Sequence, residues 1–347
     1  MKKLLCCLLA LSMPLTLLTG CGDTNSSPKE TLNVLLWDGY LPQDVTDSFQ
    51  SETGIKMNFS NFDTNEEMLT KLQAGGAGYD LVIGSDYILD QIIKEDLAQP
   101  LDKTQIPNYA NLDPSYLSQY YDLDNQYTVP YGPGTPLIVY DKNKIGMEIK
   151  GYKDLWDPQL KGKLVLLDDA RNMVGITLKS MGKSMNETDP TVLAEAKEKL
   201  MKLKPNVHHL DYNNPHESII SGEADIAYMF TPQVLLALQA RPELSVVYPE
   251  EGMGFGIDCW FVPTSASNKE NAYKFLNYIL DAKVGASISE QILYQCPNKA
   301  SQPYLSEEYK ANKALYIPAD VLGKTEFIKD VGAAATTYDE IWTAFKQ

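Results

Sequence analysis

The sequence predicts an α/β protein of two lobes, each lobe a sheet flanked by helices, with two hinge crossovers between them. Three observations predict it. Short apolar runs of strand length alternate with helix-period stretches from residue 32 to residue 93, the β-α-β-α-β-α order of a wound sheet. Two Gly and two Pro fall within residues 132–136, between two further apolar runs, and mark a bent crossover out of that sheet. A second alternation follows, and residues 255–262 read as the return crossover. The length of 347 residues fits two domains of ~100–200 residues each.

Residues 32–36 (LNVLL) are mostly apolar without alternation, the pattern of a strand covered on both faces. Trp37, Asp38, Gly39 and Tyr40 follow at its C-terminal end. Pro42 opens a helix with Val45 and Phe49 on one face, and Gly54 ends it. Residues 55–59 alternate as a second strand, and Thr64 and Glu67 have capping-box spacing ahead of Met68, Leu69 and Leu72. The glycine-rich loop 75–78 leads into a strand at 79–83, followed by Ser85, Asp86 and Tyr87 and a helix carrying Ile88, Ile92 and Ile93. Ligands of wound sheets sit outside the carboxyl ends of the strands. Trp37 with Asp38, and Ser85 with Asp86 and Tyr87, occupy that place with polar and aromatic chemistry where a plain turn needs only Gly, Asn or Pro.

Beyond the crossover, residues 163–167 form a strand ending in Asp168, Asp169, Ala170, Arg171 and Asn172. Val192, Ala196, Leu200 and Leu203 mark one face of a helix, and residues 225–230 and 245–248 are further strands. The return crossover carries Asp258. Ala272, Leu276 and Ile279 mark another helix, and Tyr338, Ile341, Trp342 and Phe345 the last. The lobes are thus placed at 31–134 with 262–302, and at 135–261 with 303–347.

Residues 1–20 read as a signal peptide: Lys2 and Lys3 precede a mostly apolar stretch at 4–18. That stretch falls short of the ~20 apolar residues a membrane span needs. Leu18, Thr19, Gly20 and Cys21 resemble the bacterial lipobox, in which the cysteine is acylated and becomes the mature N-terminus. Residues 21–30 are polar and read as a flexible tether. The expected location is the periplasm or the outer face of a bacterial membrane, held by a lipid anchor. Only Cys259 and Cys296 remain in the folded part, as a disulfide that export permits or as two buried free thiols.

The whole chain carries a net charge of −16. Without residues 1–20 it has 28 basic and 46 acidic residues, a net −18. Nucleic acid is not an expected partner, because phosphate binding needs clustered Lys and Arg. The sequence has no nucleotide-binding glycine fingerprint and no zinc-type Cys/His spacing, and no cofactor is expected. Asp168 and Asp169 are adjacent carboxylates, but neighbours in a strand point to opposite faces, whereas acid–base pairs must face one substrate. An enzyme is therefore not expected. A metal (iron) receptor is a rival reading, on the Tyr120–Tyr121 pair and the cluster His208, His209 and His216; the tyrosines lie in a Tyr/Asp-rich loop and the histidines beside a turn.

Seven stretches, in this order over ~300 residues, resemble the bacterial periplasmic spermidine/putrescine (polyamine)-binding proteins of ABC transporters, a solute-binding protein family. They are ETGIK from Glu52, YDLV from Tyr79, LDP from Leu112, DLW from Asp154, DDAR from Asp168, PN from Pro297 and DVGAA from Asp330. The resemblance implies a two-lobed periplasmic-binding-protein fold that closes on its ligand, a polyamine as ligand, importer membrane subunits as partners, and a monomer. By position, Trp37, Ser85, Tyr87, Asp169, Asp258 and Tyr294 fall on ligand-contacting places, and Phe230 falls where the family tends to have Trp. Asp38 and Asp86 stand where the family has uncharged residues, and both join the candidate site. Asn172 replaces a usual Glu, Gly256 a usual Trp and Ile328 a Gln, so another cationic amine or a basic amino acid is the alternative ligand.

The residue types suit a polyamine. Aromatic walls cover its methylenes and attract its cations at ~0.5–2 kcal/mol per contact. Carboxylates take the ammonium groups, each charge-assisted hydrogen bond netting ~1.5–3 kcal/mol. An anionic ligand fits poorly, because Arg171 is the only basic residue near the matched positions.

Overall fold

The computed structural model describes residues 30–75, 78–315, 317, 321 and 323–347. The readings for residues 1–29, the lipidated Cys21 among them, fall outside the described residues. The chain begins β1 (Thr31–Leu36), α1 (Gln43–Thr53), β2 (Lys56–Asn61), α2 (Asn65–Gln73), β3 (Leu81–Ser85), α3 (Asp86–Lys94) and β4 (Thr128–Gly134). It continues β5 (Leu137–Tyr140), β6 (Leu164–Leu166), α4 (Ala170–Ser180), α5 (Pro190–Met201), β7 (Val207–Leu210), α6 (Pro215–Ser221), β8 (Ile226–Met229), α7 (Thr231–Ala240) and β9 (Ser245–Val247). It returns through β10 (Gly254–Phe261), α8 (Lys269–Ile279), α9 (Ala282–Ile292), α10 (Glu307–Ala311), β11 (Glu326–Phe327) and α11 (Ala335–Lys346).

The first sheet runs β2-β1-β3-β10-β11, with β4 beside β10. β1 pairs in parallel with β2 and β3, and β10 runs antiparallel to β3 and β4. Leu32, Val34 and Leu35 are fully buried because the connecting helices cover the sheet, which is why this run lacks alternation. α1 starts after Pro42, whose missing N–H costs nothing at a helix start, and it buries Val45 and Phe49.

The second sheet runs β7-β6-β8-β5-β9. Its strands alternate between two cores: Ile138, Leu164, Leu166, Ile226 and Tyr228 face one side, and Leu137, Val139, Val165, Ala227 and Met229 the other. α11 packs on the first of these cores through Tyr338, Ile341, Trp342 and Phe345.

Both sheets repeat one construction. In the first, β1 lies between β2 and β3; in the second, β6 lies between β7 and β8, again in parallel. Successive strands are thus laid to opposite sides of the first one, which opens a crevice at the strand carboxyl ends. Trp37 and Ser85 end adjacent strands of one sheet, and the stretches holding Asp169 and Phe230 follow adjacent strands of the other.

The sequence-based boundary put residues 254–261 in the second lobe. The structure hydrogen-bonds them into the first sheet, with Asp258 opposite Ser85 and Trp260 opposite Ile83. The composition of this run marks a buried strand and cannot tell which sheet supplies its partners. Thr135 Oγ1 donates to Gly254 O, tying the outgoing crossover to the start of the returning one. A further passage, β11, brings the chain back to the edge of the first sheet. Glu326 there accepts from Ser184 Oγ at 2.7 Å and Met185 N at 2.8 Å, residues that follow α4. Cys259 and Cys296 are both buried free thiols. No described helix is long and apolar enough to cross a membrane.

Candidate functional site

A cavity of about 290 Å³ lies between the two sheets, near the lower end of the ~300–1,000 Å³ usual for small-molecule sites. Eight of the nine ligand-binding candidates named from sequence line it: Trp37, Ser85, Asp86, Tyr87, Asp169, Phe230, Asp258 and Tyr294. The ninth, Asp38, does not. It is exposed and accepts from Asn61 Nδ2 at 3.0 Å. Trp37 faces the cavity, whereas Asp38 lies in the turn that Tyr40 N closes by donating to Trp37 O at 3.3 Å.

The first lobe builds its wall around Asp258. The β3–β10 register sets Asp258 opposite Ser85, whose Oγ donates to Asp258 Oδ1 at 2.7 Å. Ser85 is the N-cap residue of α3, yet its hydroxyl makes no cap bond, being committed to Asp258. Tyr40 Oη donates to Asp258 Oδ2 at 2.6 Å. Asn65 Nδ2 donates to Ser85 Oγ at 3.1 Å and to Tyr87 Oη at 2.9 Å, linking the serine to the tyrosine.

The rings pack edge to face. Tyr40 meets Trp37 at 5.5 Å, Tyr131 at 5.5 Å and Tyr294 at 5.6 Å between centroids. Two crossover glycines make this packing possible. A Cβ on Gly132 would lie 2.2 Å from Tyr40 Oη, and one on Gly134 would lie 2.7 Å from Tyr294 Cε1.

The second lobe supplies Asp169 and Phe230 from helix N-termini. Asp169 caps α4 through Oδ1, which accepts from Asn172 N at 2.6 Å and Asn172 Nδ2 at 3.0 Å. Phe230 precedes α7, and its N–H donates to Gln233 Oε1 at 2.9 Å. Gln233 Nε2 in turn donates to Tyr212 O at 2.9 Å, so one side chain positions both rings of the Tyr212–Phe230 pair, 5.5 Å apart. Arg171 also lines the cavity, but its guanidinium donates to Met185 O, Asn186 Oδ1 and Lys329 O and lies over the Tyr338 ring. Asp168 accepts from Trp342 Nε1 at 2.8 Å and Lys346 Nζ at 2.9 Å, a structural tie to α11.

Burial raises the Asp258 carboxyl above its ordinary range, while the Tyr40 and Ser85 hydrogen bonds hold it down. Asp86 is raised well above its ordinary range, first by burial and then by the charge of Asp258, against which the Tyr87 N–H acts. Burial likewise pushes the Tyr40, Tyr87 and Tyr294 phenols up, so at neutral pH they serve as hydrogen-bonding phenols. The cavity therefore offers carboxylates to a cation and flat rings to an apolar chain.

Sequence reasoning missed Tyr40, Asn65, Tyr212 and Gln233. Tyr40 carried a signal, since it follows Trp37 at a strand end; the other three carried none. The tyrosine pair of the metal reading is engaged elsewhere: Tyr120 Oη donates to Ile328 O at 3.1 Å, and Tyr121 Oη lies 3.3 Å from Cys259 Sγ. Among the described residues no group of three or more His, Cys, Asp or Glu stands together as a metal site.

Residues 44–318 match the family described as bacterial extracellular solute-binding protein. The spermidine/putrescine-binding periplasmic protein of Salmonella typhimurium is 37% identical over 329 residues, covering 94% of each chain. A putrescine-binding periplasmic protein of Escherichia coli is 32% identical over 326 residues, covering 88% of each. The solved spermidine/putrescine ABC transporter substrate-binding protein of Streptococcus pneumoniae superposes with a TM-score of 0.81 at 31% identity, covering 91% of this chain and 98% of that one.

Proposed function

This chain belongs to the family of bacterial extracellular solute-binding proteins, and we propose that it is an extracytoplasmic receptor that binds a polyamine, putrescine or spermidine, between its sheets and delivers it to the membrane subunits of an ABC importer. One observation carries this reading. Carboxylates from the two lobes, Asp258 and Asp169, line a single cavity with Trp37, Tyr40, Phe230 and Tyr294. That arrangement fits an apolar chain with a cation at each end. Putrescine-binding and spermidine/putrescine-binding relatives support it. The chain acts by binding and release, as a monomer, without catalysis, cofactor or nucleic acid. Acylation of Cys21 tethers it to the membrane.

Thermal denaturation of the full chain with putrescine, spermidine, arginine and choline tests the reading. A ligand at 100 times its Kd stabilises by about 2.7 kcal/mol. A polyamine is expected to raise Tm by several degrees. The space beside Gly256, where a Cβ would meet only Asp86 Oδ1 at 3.5 Å, admits a bulkier cation. A shift with arginine or choline alone would move the ligand to that class, and no shift with either polyamine would overturn the proposal.

A further inference from the structure

Asp86 is 1% exposed, lines the cavity, and holds an Oδ2 that has no hydrogen-bond partner. Its Oδ1 accepts from Tyr87 N at 2.9 Å. Among the described residues it enters no ion pair of 4 Å or less. A buried carboxyl with a bare oxygen is costly to keep, and a helix first turn does not require it to point into a cavity. The residue across from it is equally unusual. A Cβ at Gly256 would have one neighbour within 4 Å, Asp86 Oδ1 at 3.5 Å, so open space stands beside this one carboxyl.

We propose that Asp86 is the specificity-determining carboxylate of this site: it takes the third ammonium of a triamine in the space beside Gly256 and gives up its own proton to solvent as that cation enters. This rests on the polyamine reading and deepens it. Asp258 and Asp169, one on each lobe, serve the two cations that any diamine and triamine share. Only a third cation needs Asp86. The groups that face Asp86 are Asp258 and the Cys259 thiol from β10 and the Tyr120 and Tyr121 phenols from the segment before β4, none of them cationic. Asp90, one turn further along α3, is paired with Lys94 at 2.6 Å. Without ligand, burial and the neighbouring Asp258 favour the neutral acid at Asp86. The exchange of one proton for one ammonium leaves the charge of the buried pair unchanged.

Calorimetry of the full chain near neutral pH, in two buffers of different ionisation heat, counts the protons released. Spermidine is expected to release distinctly more protons than putrescine. In Asp86→Asn the release with spermidine should vanish and the spermidine-to-putrescine affinity ratio should fall at least tenfold. Gly256→Phe, which fills the space beside Asp86 and leaves its ionisable carboxyl in the chain, should lower the same ratio. Binding of both polyamines with no proton release, or an unchanged ratio in both variants, would overturn the assignment of Asp86 alone. Heat with neither polyamine would overturn the polyamine reading and this inference together.

Discussion

Tyr40 and Asp258, 218 residues apart, share a 2.6 Å hydrogen bond in the wall of the cavity. With Ser85 on the other oxygen, it fixes both ends of the carboxylate before any ligand arrives. Pre-ordering of this kind spares the ligand the cost of immobilising the group that binds it.

Removing that phenol should weaken binding without removing the charge. Tyr40→Phe is expected to lower polyamine affinity about tenfold, the loss of one hydrogen bond to a charged group at ~1.5 kcal/mol. The sign of its pH effect also follows. The Tyr40 bond lowers the Asp258 carboxyl, so its loss lets that carboxyl rise further. Binding that needs ionised Asp258 should then fade at a higher pH in the variant. Affinity measured across acidic to neutral pH checks both effects.

Asp169 caps α4 and, in the proposed function, also takes a cation, and two substitutions separate these. Asn caps helices about as well as Asp, whereas Ala loses the cap at ~1 kcal/mol. Asp169→Asn should cut affinity at least tenfold with Tm nearly unchanged. Asp169→Ala should lose affinity and also lower Tm by roughly 2–4 °C. Equal affinity in Asp169→Asn would take the second-lobe carboxylate out of the site.

Gly134→Ala should disturb Tyr294 from behind, since its Cβ would lie 2.7 Å from the ring. Overpacking of this sort costs ~1–3 kcal/mol. A lowered Tm and weaker polyamine binding are expected together, and thermal denaturation with and without ligand reads both.

The ligand-free protein carries a cost at Asp86 that depends on pH. Its carboxyl is raised in the fold relative to the unfolded chain, so the fold holds the proton more tightly. Stability from this group therefore rises as pH falls through the folded value and levels off below the ordinary carboxylate range near ~4. Asp86→Asn should raise the ligand-free Tm at neutral pH by at least ~2 °C. The advantage over wild type should shrink on acidification. A lower Tm at neutral pH would contradict the burial cost.

The ends of the parallel strands were legible because buried apolar runs declare themselves and ligands gather at their carboxyl ends. Trp37, Ser85, Asp86 and Tyr87 were found that way, with Asp169, Phe230, Asp258 and Tyr294 from the family resemblance. Asp38 misled for a local reason: it adjoins Trp37, but it sits in the turn after β1, exposed to solvent. The role of Tyr40 depends on β10 entering the first sheet, a pairing no local pattern encodes. α4 went unpredicted because Met173, Val174, Ile176 and Leu178 are all buried, leaving no polar face to give a helical period. Gln233 acts through the backbone of a distant loop, and its spacing shows nothing of that.

Calorimetric titration of spermidine into the wild-type chain and into Asp258→Asn tests the cavity as a polyamine site most directly. Micromolar or tighter binding, about −8.2 kcal/mol, is expected for the wild type, with at least a tenfold loss in the variant. Equal affinity in the two proteins would contradict the placement of the ligand against Asp258, and with it the site described between the sheets.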